Sequence, residues 1–305
     1  TINTGYLNNQ DATAKGFTFN SDGSRLFTVG SASITKYIYQ YNLAKPYLIS
    51  SISSYTKQSG VSISDGTPQG IQISADGTRI YYVGSGSDNI YEYILSTAND
   101  VGTITLNRTI STSFITLEAR DIVINSDGTI MYLMTNQYIY ALELSTPYDL
   151  QTIQANPLSV TQDTDQTDIC FNSDGTKVYM IGATNDTVYQ YDLTVPWLIS
   201  SGSYSAKSTY VGTQDTTPHG ITFGDSGTKM YMIGQTNNTI YQYTLSTAWD
   251  VSTASYASKS LPLSFYETGS SGIRFNDTGT KVYISGNVND RIIEILLRTA
   301  WDIST

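Results

Sequence analysis

Residues 168–193 read Asp168-Ile-Cys-Phe-Asn-Ser-Asp-Gly-Thr-Lys-Val-Tyr-Met-Ile-Gly-Ala-Thr-Asn-Asp-Thr-Val-Tyr-Gln-Tyr-Asp-Leu193. Asp168 to Phe171 alternate in polarity, the pattern of a half-buried strand. Asn172-Ser-Asp-Gly175 predicts a hairpin turn, with glycine taking the positive φ and Asp bonding its own backbone. Lys177 to Gly182 returns as a second strand, 183–187 is a polar loop, and Val188 to Leu193 is a third strand rich in β-formers. Thr194-Val-Pro-Trp197 then turns the chain toward a weaker fourth strand around Leu198 to Ser205. No segment sustains a helical period.

The same phrase occurs six times. Its turn glycines are Gly23, Gly77, Gly128, Gly175, Gly227 and Gly279, spaced 54, 51, 47, 52 and 52 residues apart. The 26 residues after Gly279 and the 23 ending at Gly23 together supply one more period of 49. An all-strand period near 50 is the mark of a propeller blade. The fold expected is therefore an all-β, six-bladed β-propeller, residues 1–305 forming one domain. The sixth copy stops at Trp301-Asp-Ile-Ser-Thr305, so its fourth strand is missing. Thr1-Ile-Asn-Thr-Gly-Tyr6 is expected to supply that strand and remove an open sheet edge. Exchange of residues 1–8 into a neighbouring molecule, building a filament, is the alternative.

Composition narrows the partners. Of 305 residues only 14% are charged, with a net charge of −10, 25 Tyr, one Cys and one His. Without a basic stripe, nucleic acid is not an expected partner. No apolar run approaches the ~20 residues of a membrane span. A single cysteine, Cys170, excludes a disulfide framework and reads as a packed strand residue. The surface of hydroxyls and amides, with a start at Thr1 rather than Met, suggests a secreted, cell-surface or virion location.

Two sets of residues could carry chemistry. Asp11, Asp65, Asp163, Asp215 and Glu267 stand at one offset in the loops leading into the first strands, while the third copy has Thr116 there and Glu118 two residues on. Five carboxylates at one level read either as a cation site, with calcium the candidate, or as Asx-turns that cap each loop. The second set breaks the repeat. Lys15, Gln69, Arg120, Thr167, His219 and Ser271 share one variable position, and the next is Gly in four copies but Asp121 and Asp168 in two. Deeper, Arg274 and Cys170 replace Thr18, Gln72, Val123 and Thr222. Lys15, Arg120, Asp121, Asp168, His219 and Arg274 form a candidate ligand-binding set, with Arg120 set against Asp121 and Asp168 as an ion pair. His219 is a conceivable base or metal ligand. Trp197, Trp249 and Trp301, aligned with Tyr47, Tyr148 and Asn99, read as packing plugs.

Ser173–Tyr179 and Gly227–Gly234 resemble the repeats of YVTN-type and lactonase-like propellers. The longer phrase 241–253 is similar to propeller repeats of uncharacterised marine bacterial and phage-associated proteins. The lactonase resemblance implies a divalent metal held by a scattered Glu/Asn/Asp set, which Glu267 and Glu118 alone do not reproduce. Sialidase motifs, a nucleophile elbow, a phosphate loop and zinc-ligand spacing are missing from the sequence. The leading expectation is a non-enzymatic binding or assembly module that takes a cell-surface glycan or a protein partner through its polar loops. The alternatives are a metal-dependent lactonase-like hydrolase and a strand-exchanged filament subunit.

Overall fold

The computed structural model describes residues 2–6, 14–30, 37–59, 67–87, 89–111, 119–125, 127–135, 138–159, 161–286 and 291–304. Asp11, Asp65 and Glu118 lie outside these residues, as do residues 7 and 8 of the N-terminal segment. Six four-stranded sheets follow one another along the chain, the arrangement of a six-bladed β-propeller. The first comprises Ala14–Phe19, Arg25–Gly30, Tyr39–Leu43 and Ile52–Gln58. The second comprises Pro68–Ile73, Arg79–Gly84, Asn89–Leu95 and Ile104–Ser111, and the third Ala119–Ile124, Ile130–Thr135, Tyr138–Thr146 and Asp149–Ser159. The fourth is Gln166–Phe171, Lys177–Gly182, Thr187–Leu193 and Gly202–Tyr210. Pro218–Gly224, Lys229–Gly234, Thr239–Leu245 and Ala254–Pro262 make the fifth.

The sixth sheet has Ser270–Phe275, Lys281–Gly286 and Arg291–Leu296, with Ile2–Tyr6 as its outermost strand. The N-terminal strand thus closes the last sheet of its own chain. Contacts divide the chain into two compact units. One, Gly5–Thr135 with Ile139–Asn156, holds the first three sheets. The other, Thr1–Thr4, Asn136–Tyr138 and Pro157–Thr305, holds the last three.

The fourth-sheet hairpin turn is built as its sequence demands. In the fourth sheet the Gly175 amide donates to the Asn172 carbonyl at 3.2 Å, and Asp174 Oδ1 accepts from the Thr176 amide at 2.9 Å. Gly175 has φ +71° and lies under Trp197, whose ring a Cβ there would overlap. Trp301 likewise covers Gly279 of its own sheet and Gly224 of the fifth, so the plug ties neighbouring sheets as well as sealing its turn. The fourth strand of the fourth sheet starts at Gly202, later than its apolar pattern suggests. Ser201 holds residues 199–201 in a tight turn, its hydroxyl donating to the Leu198 carbonyl at 2.7 Å and accepting from the Val195 amide at 3.0 Å.

The core is repeated sheet by sheet from second-strand residues such as Val178, Met180, Met230, Met232, Ile233 and Ile284, all fully buried. Neighbouring sheets are stitched by recurring polar contacts. Within the last three sheets, Tyr179 Oη donates to the Trp249 carbonyl at 2.7 Å and Tyr231 Oη to the Trp301 carbonyl at 2.6 Å. Burial drives both phenols well above their ordinary range, so they remain donors. At the outer edge Lys207 reaches Asp250 and Lys259 reaches Asp302, both at 2.6 Å. In the other unit Arg108 reaches Asp149 at 3.0 Å.

Candidate functional site

Every first strand begins with a β-bulge, and the variable position of the repeat sits in it. The register shifts between Ala14 and Gly16, Pro68 and Gly70, Ala119 and Asp121, Gln166 and Asp168, Pro218 and Gly220, and Ser270 and Gly272. The skipped residues are Lys15, Gln69, Arg120, Thr167, His219 and Ser271. A bulge leaves its extra residue outside the ladder and re-aims its side chain, a device frequent beside active sites. The position varies because it does not have to pair. The glycine after it has a packing reason. A Cβ on Gly16 would press on the Gln69 carbonyl and the Ile71 amide of the next first strand, and one on Gly70 on the Asp121 backbone.

Asp168, in one of those glycine positions, turns the close approach into a polar bridge. Its Oδ1 accepts from the Ile169 amide at 2.8 Å, and its Oδ2 accepts from the Ile221 amide of the fifth sheet at 2.9 Å. Arg274 of the sixth sheet completes the shell. Nη1 donates to Oδ2 at 3.1 Å and Nη2 to Oδ1 at 3.2 Å, a two-pronged pair. Nη1 also donates to the carbonyls of Ile221 and Ile273 at 3.1 and 2.7 Å. One guanidinium therefore spans three consecutive sheets. The Asp168 side chain is 9% exposed, whereas that of Arg274 remains 45% exposed. Asp168 orients, and Arg274 presents positive charge.

The sequence set Arg120 against Asp121 and Asp168, but the guanidinium that holds Asp168 is that of Arg274, more than a hundred residues away. Only the stacking of first strands across the side-chain-free Gly220 brings the two within reach. Asp121 Oδ1 accepts from the adjoining Ile122 amide at 2.8 Å, and its half-buried side chain lies over Gly70. Lys15, Arg120 and Asp121 belong to the first three sheets, while Asp168, His219 and Arg274 belong to the last three. His219 occupies the fifth-sheet bulge, half-buried, two residues before the Ile221 amide that Asp168 accepts from. Thr167, not singled out in the sequence, donates from Oγ1 to the Pro218 carbonyl of the next sheet at 3.0 Å. Its place in the variable column was the available signal. Burial pushes the Cys170 thiol up to about 11, which makes it a poor nucleophile.

The acidic lead-in residues behave differently. Asp163 Oδ1 accepts from the Asp165 amide at 2.8 Å and Oδ2 from the Asn185 amide at 2.9 Å. Asp215 repeats this with the amides of Thr217 and Asn237, at 2.9 and 2.8 Å. Glu267 Oε1 accepts from the Thr268 and Gly269 amides at 3.0 and 2.9 Å. All three are buried, and each closes a loop of its own sheet. Desolvation, and then the charges of Asp163 and Asp215, raise the carboxyl of nearby Asp186 above its ordinary value. Among the described residues no group of three or more His, Cys, Asp or Glu side chains is placed to hold a metal ion. Of the described residues, Asp163, Asp215 and Glu267 do not fit a site for calcium or another divalent cation: each carboxylate already accepts from backbone amides of its own sheet.

No protein-family model matches the sequence, and no curated protein matches it. Solved structures do match. A periplasmic gluconolactonase from Pseudomonas aeruginosa superposes with a TM-score of 0.67 at 12% identity, covering 92% of this chain and 80% of that one. A candidate 6-phosphogluconolactonase from Bacteroides fragilis gives 0.66 at 11%, covering 93% and 84%. The Swd1 β-propeller domain from Myceliophteria thermophila gives 0.58 at 8%, covering 92% and 95%. Identities this low establish the fold. The names of the matching structures run against the leading expectation from the sequence. Three of those structures are named as gluconolactonase or candidate 6-phosphogluconolactonase, which favours the alternative expectation, a lactonase-like hydrolase, over the leading one, a non-enzymatic binding or assembly module.

Proposed function

We propose that this protein is a lactonase-like hydrolase that opens a sugar lactone at the bulged ends of its fourth to sixth first strands, outside the cytoplasm. The observation that carries the reading is Arg274, half exposed yet held by buried Asp168 across three sheets. Water adds to the lactone carbonyl carbon, and the negative charge that develops on the carbonyl oxygen is stabilised by the Arg274 guanidinium. Asp168 keeps that guanidinium in one orientation and, with four donors already on it, is not the base. His219 is the residue in the same strand region able to take the proton from the attacking water. It returns the proton to the ring oxygen as the carbon–oxygen bond breaks, which yields the open hydroxy acid. No step is routed through a metal: of the acidic lead-in residues, Asp163, Asp215 and Glu267 each cap a loop of their own sheet.

The test is hydrolysis of glucono-1,5-lactone, followed by acid release at constant pH above the spontaneous rate. Arg274→Lys and His219→Gln should each lower kcat/KM by about 10²-fold or more. Retention of full activity by both variants, or no activity in the native protein, would sink the reading.

A further inference from the structure

At the other end of the first strands, on the order of 13 Å from the bulges at 3.3 Å per residue, the second sheet departs from the repeat. In four of the other five sheets an aromatic residue at the end of the first strand meets an aromatic plug. Phe19 and Tyr47 have ring centroids 5.4 Å apart, Phe171 and Trp197 5.3 Å, Phe223 and Trp249 5.5 Å, and Phe275 and Trp301 5.1 Å. The third sheet keeps only one of the two rings, with Ile124 and Tyr148. The second keeps neither, having Ile73 and Asn99. Where the rings are missing there is a cavity of about 160 Å³, open on one side. Phe19, Gln72, Ile73, Ala75, Ile124 and Tyr148 are among its lining residues, all within the first three sheets.

We propose that this cavity binds a small single-ring phenol, the ligand's ring taking the place of the ring that the second sheet lacks. The volume suits it, since a cavity of ~150 Å³ lined by apolar side chains binds benzene. The lining offers Phe19 and Tyr148 as ring partners, for stacked or edge-on contact, and Ile73 and Ile124 as apolar walls. The hydroxyl has an acceptor as well. Gln72 Nε2 donates to the Ile73 carbonyl at 3.2 Å, which leaves Oε1 for a ligand. Two of the other polar lining residues are committed: Ser74 Oγ donates to Asp76 Oδ1 at 2.7 Å, and Asn125 Oδ1 accepts from the Ile130 amide at 2.9 Å. This site does not depend on the hydrolase reading, and either can fail alone.

Calorimetric titration of the full chain with phenol is expected to show one saturable site. Ile73→Phe, which restores the ring found in four other sheets, should weaken binding at least tenfold. Ala75→Trp, at an exposed lining position where folding is not at stake, should do the same. Cyclohexanol should bind at least tenfold more weakly than phenol. No saturable heat with phenol, unchanged affinity in Ala75→Trp, or equal binding of cyclohexanol overturns the proposal.

Discussion

Asp215 and Asp168 stand near the same end of first strands and are buried alike, at 1% and 6% exposure. The carboxylate of Asp215 accepts from amides of its own sheet, and the arrangement recurs at Asp163. Asp168 accepts from an amide of the next sheet and from a guanidinium two sheets away. The difference shows how a repeat protein divides its labour. What recurs per sheet closes turns and loops, because each copy faces the same local problem. What occurs once answers to something outside the repeat. In the proposed hydrolase that is Arg274, and at the opposite end it is the ring missing from the second sheet.

The comparison can be broken most forcefully at the recurring plugs. Gly175→Ala combines a left-handed backbone with a methyl pressed into Trp197, for a loss of about 3 kcal/mol. Gly77→Ala meets only the short Asn99 side chain and should lose about 1–2 kcal/mol. Urea midpoints at unchanged m-value measure both, and equal losses would show that the ring seat is immaterial. Next come the two carboxylates. Asp215→Ala and Asp168→Ala each strand buried amides and should cost about 2 kcal/mol. Only Asp168→Ala should also lower lactone hydrolysis, by about tenfold or more. A matching fall in Asp215→Ala would erase the distinction between the two carboxylates.

The outer straps give a smaller, pH-dependent effect. The Lys259 ammonium, followed by the Ser304 hydroxyl, lowers Asp302 to about 2. Its unfolded value is near 3.9. The stabilisation is therefore fully present above about pH 4 and is lost as pH falls toward 2. Lys259→Met should flatten the stability profile in that window and leave it unchanged in shape near neutrality. A chemical-denaturation series from pH 2 to 7 reads this directly. Smallest is the strain in the edge bulge, where Ala206 sits at φ +58°. Ala206→Gly relieves it, partly offset by chain entropy, for a gain of about 0.5 kcal/mol in thermal unfolding. A loss of stability there would mean that the bulge is held by more than its backbone angle.

Much of the architecture was legible in the chain itself. The six glycine turns, the alternating strands and the truncated sixth copy predicted the sheets and the N-terminal closing strand, because hairpin chemistry and strand period are local. The set around Arg274 was legible only as a list of exceptions. Its residues could be named, since they break a repeat, but not paired. Pairing depends on which first strands stack without an intervening side chain, and the sequence pointed to Arg120. The lead-in acids left two readings open for a related reason. A carboxylate that caps its own loop and one that meets others around a cation have the same spacing along the chain.

By itself, then, the sequence determined the element type, the period and the number of sheets, all set by interactions between residues a few positions apart. Tertiary structure decided which singular residues share a site, that the variable column lies in bulges, and that the lost rings of the second sheet leave a cavity. Those outcomes depend on contacts between strands roughly fifty or more residues apart, whose separation in space no local propensity encodes.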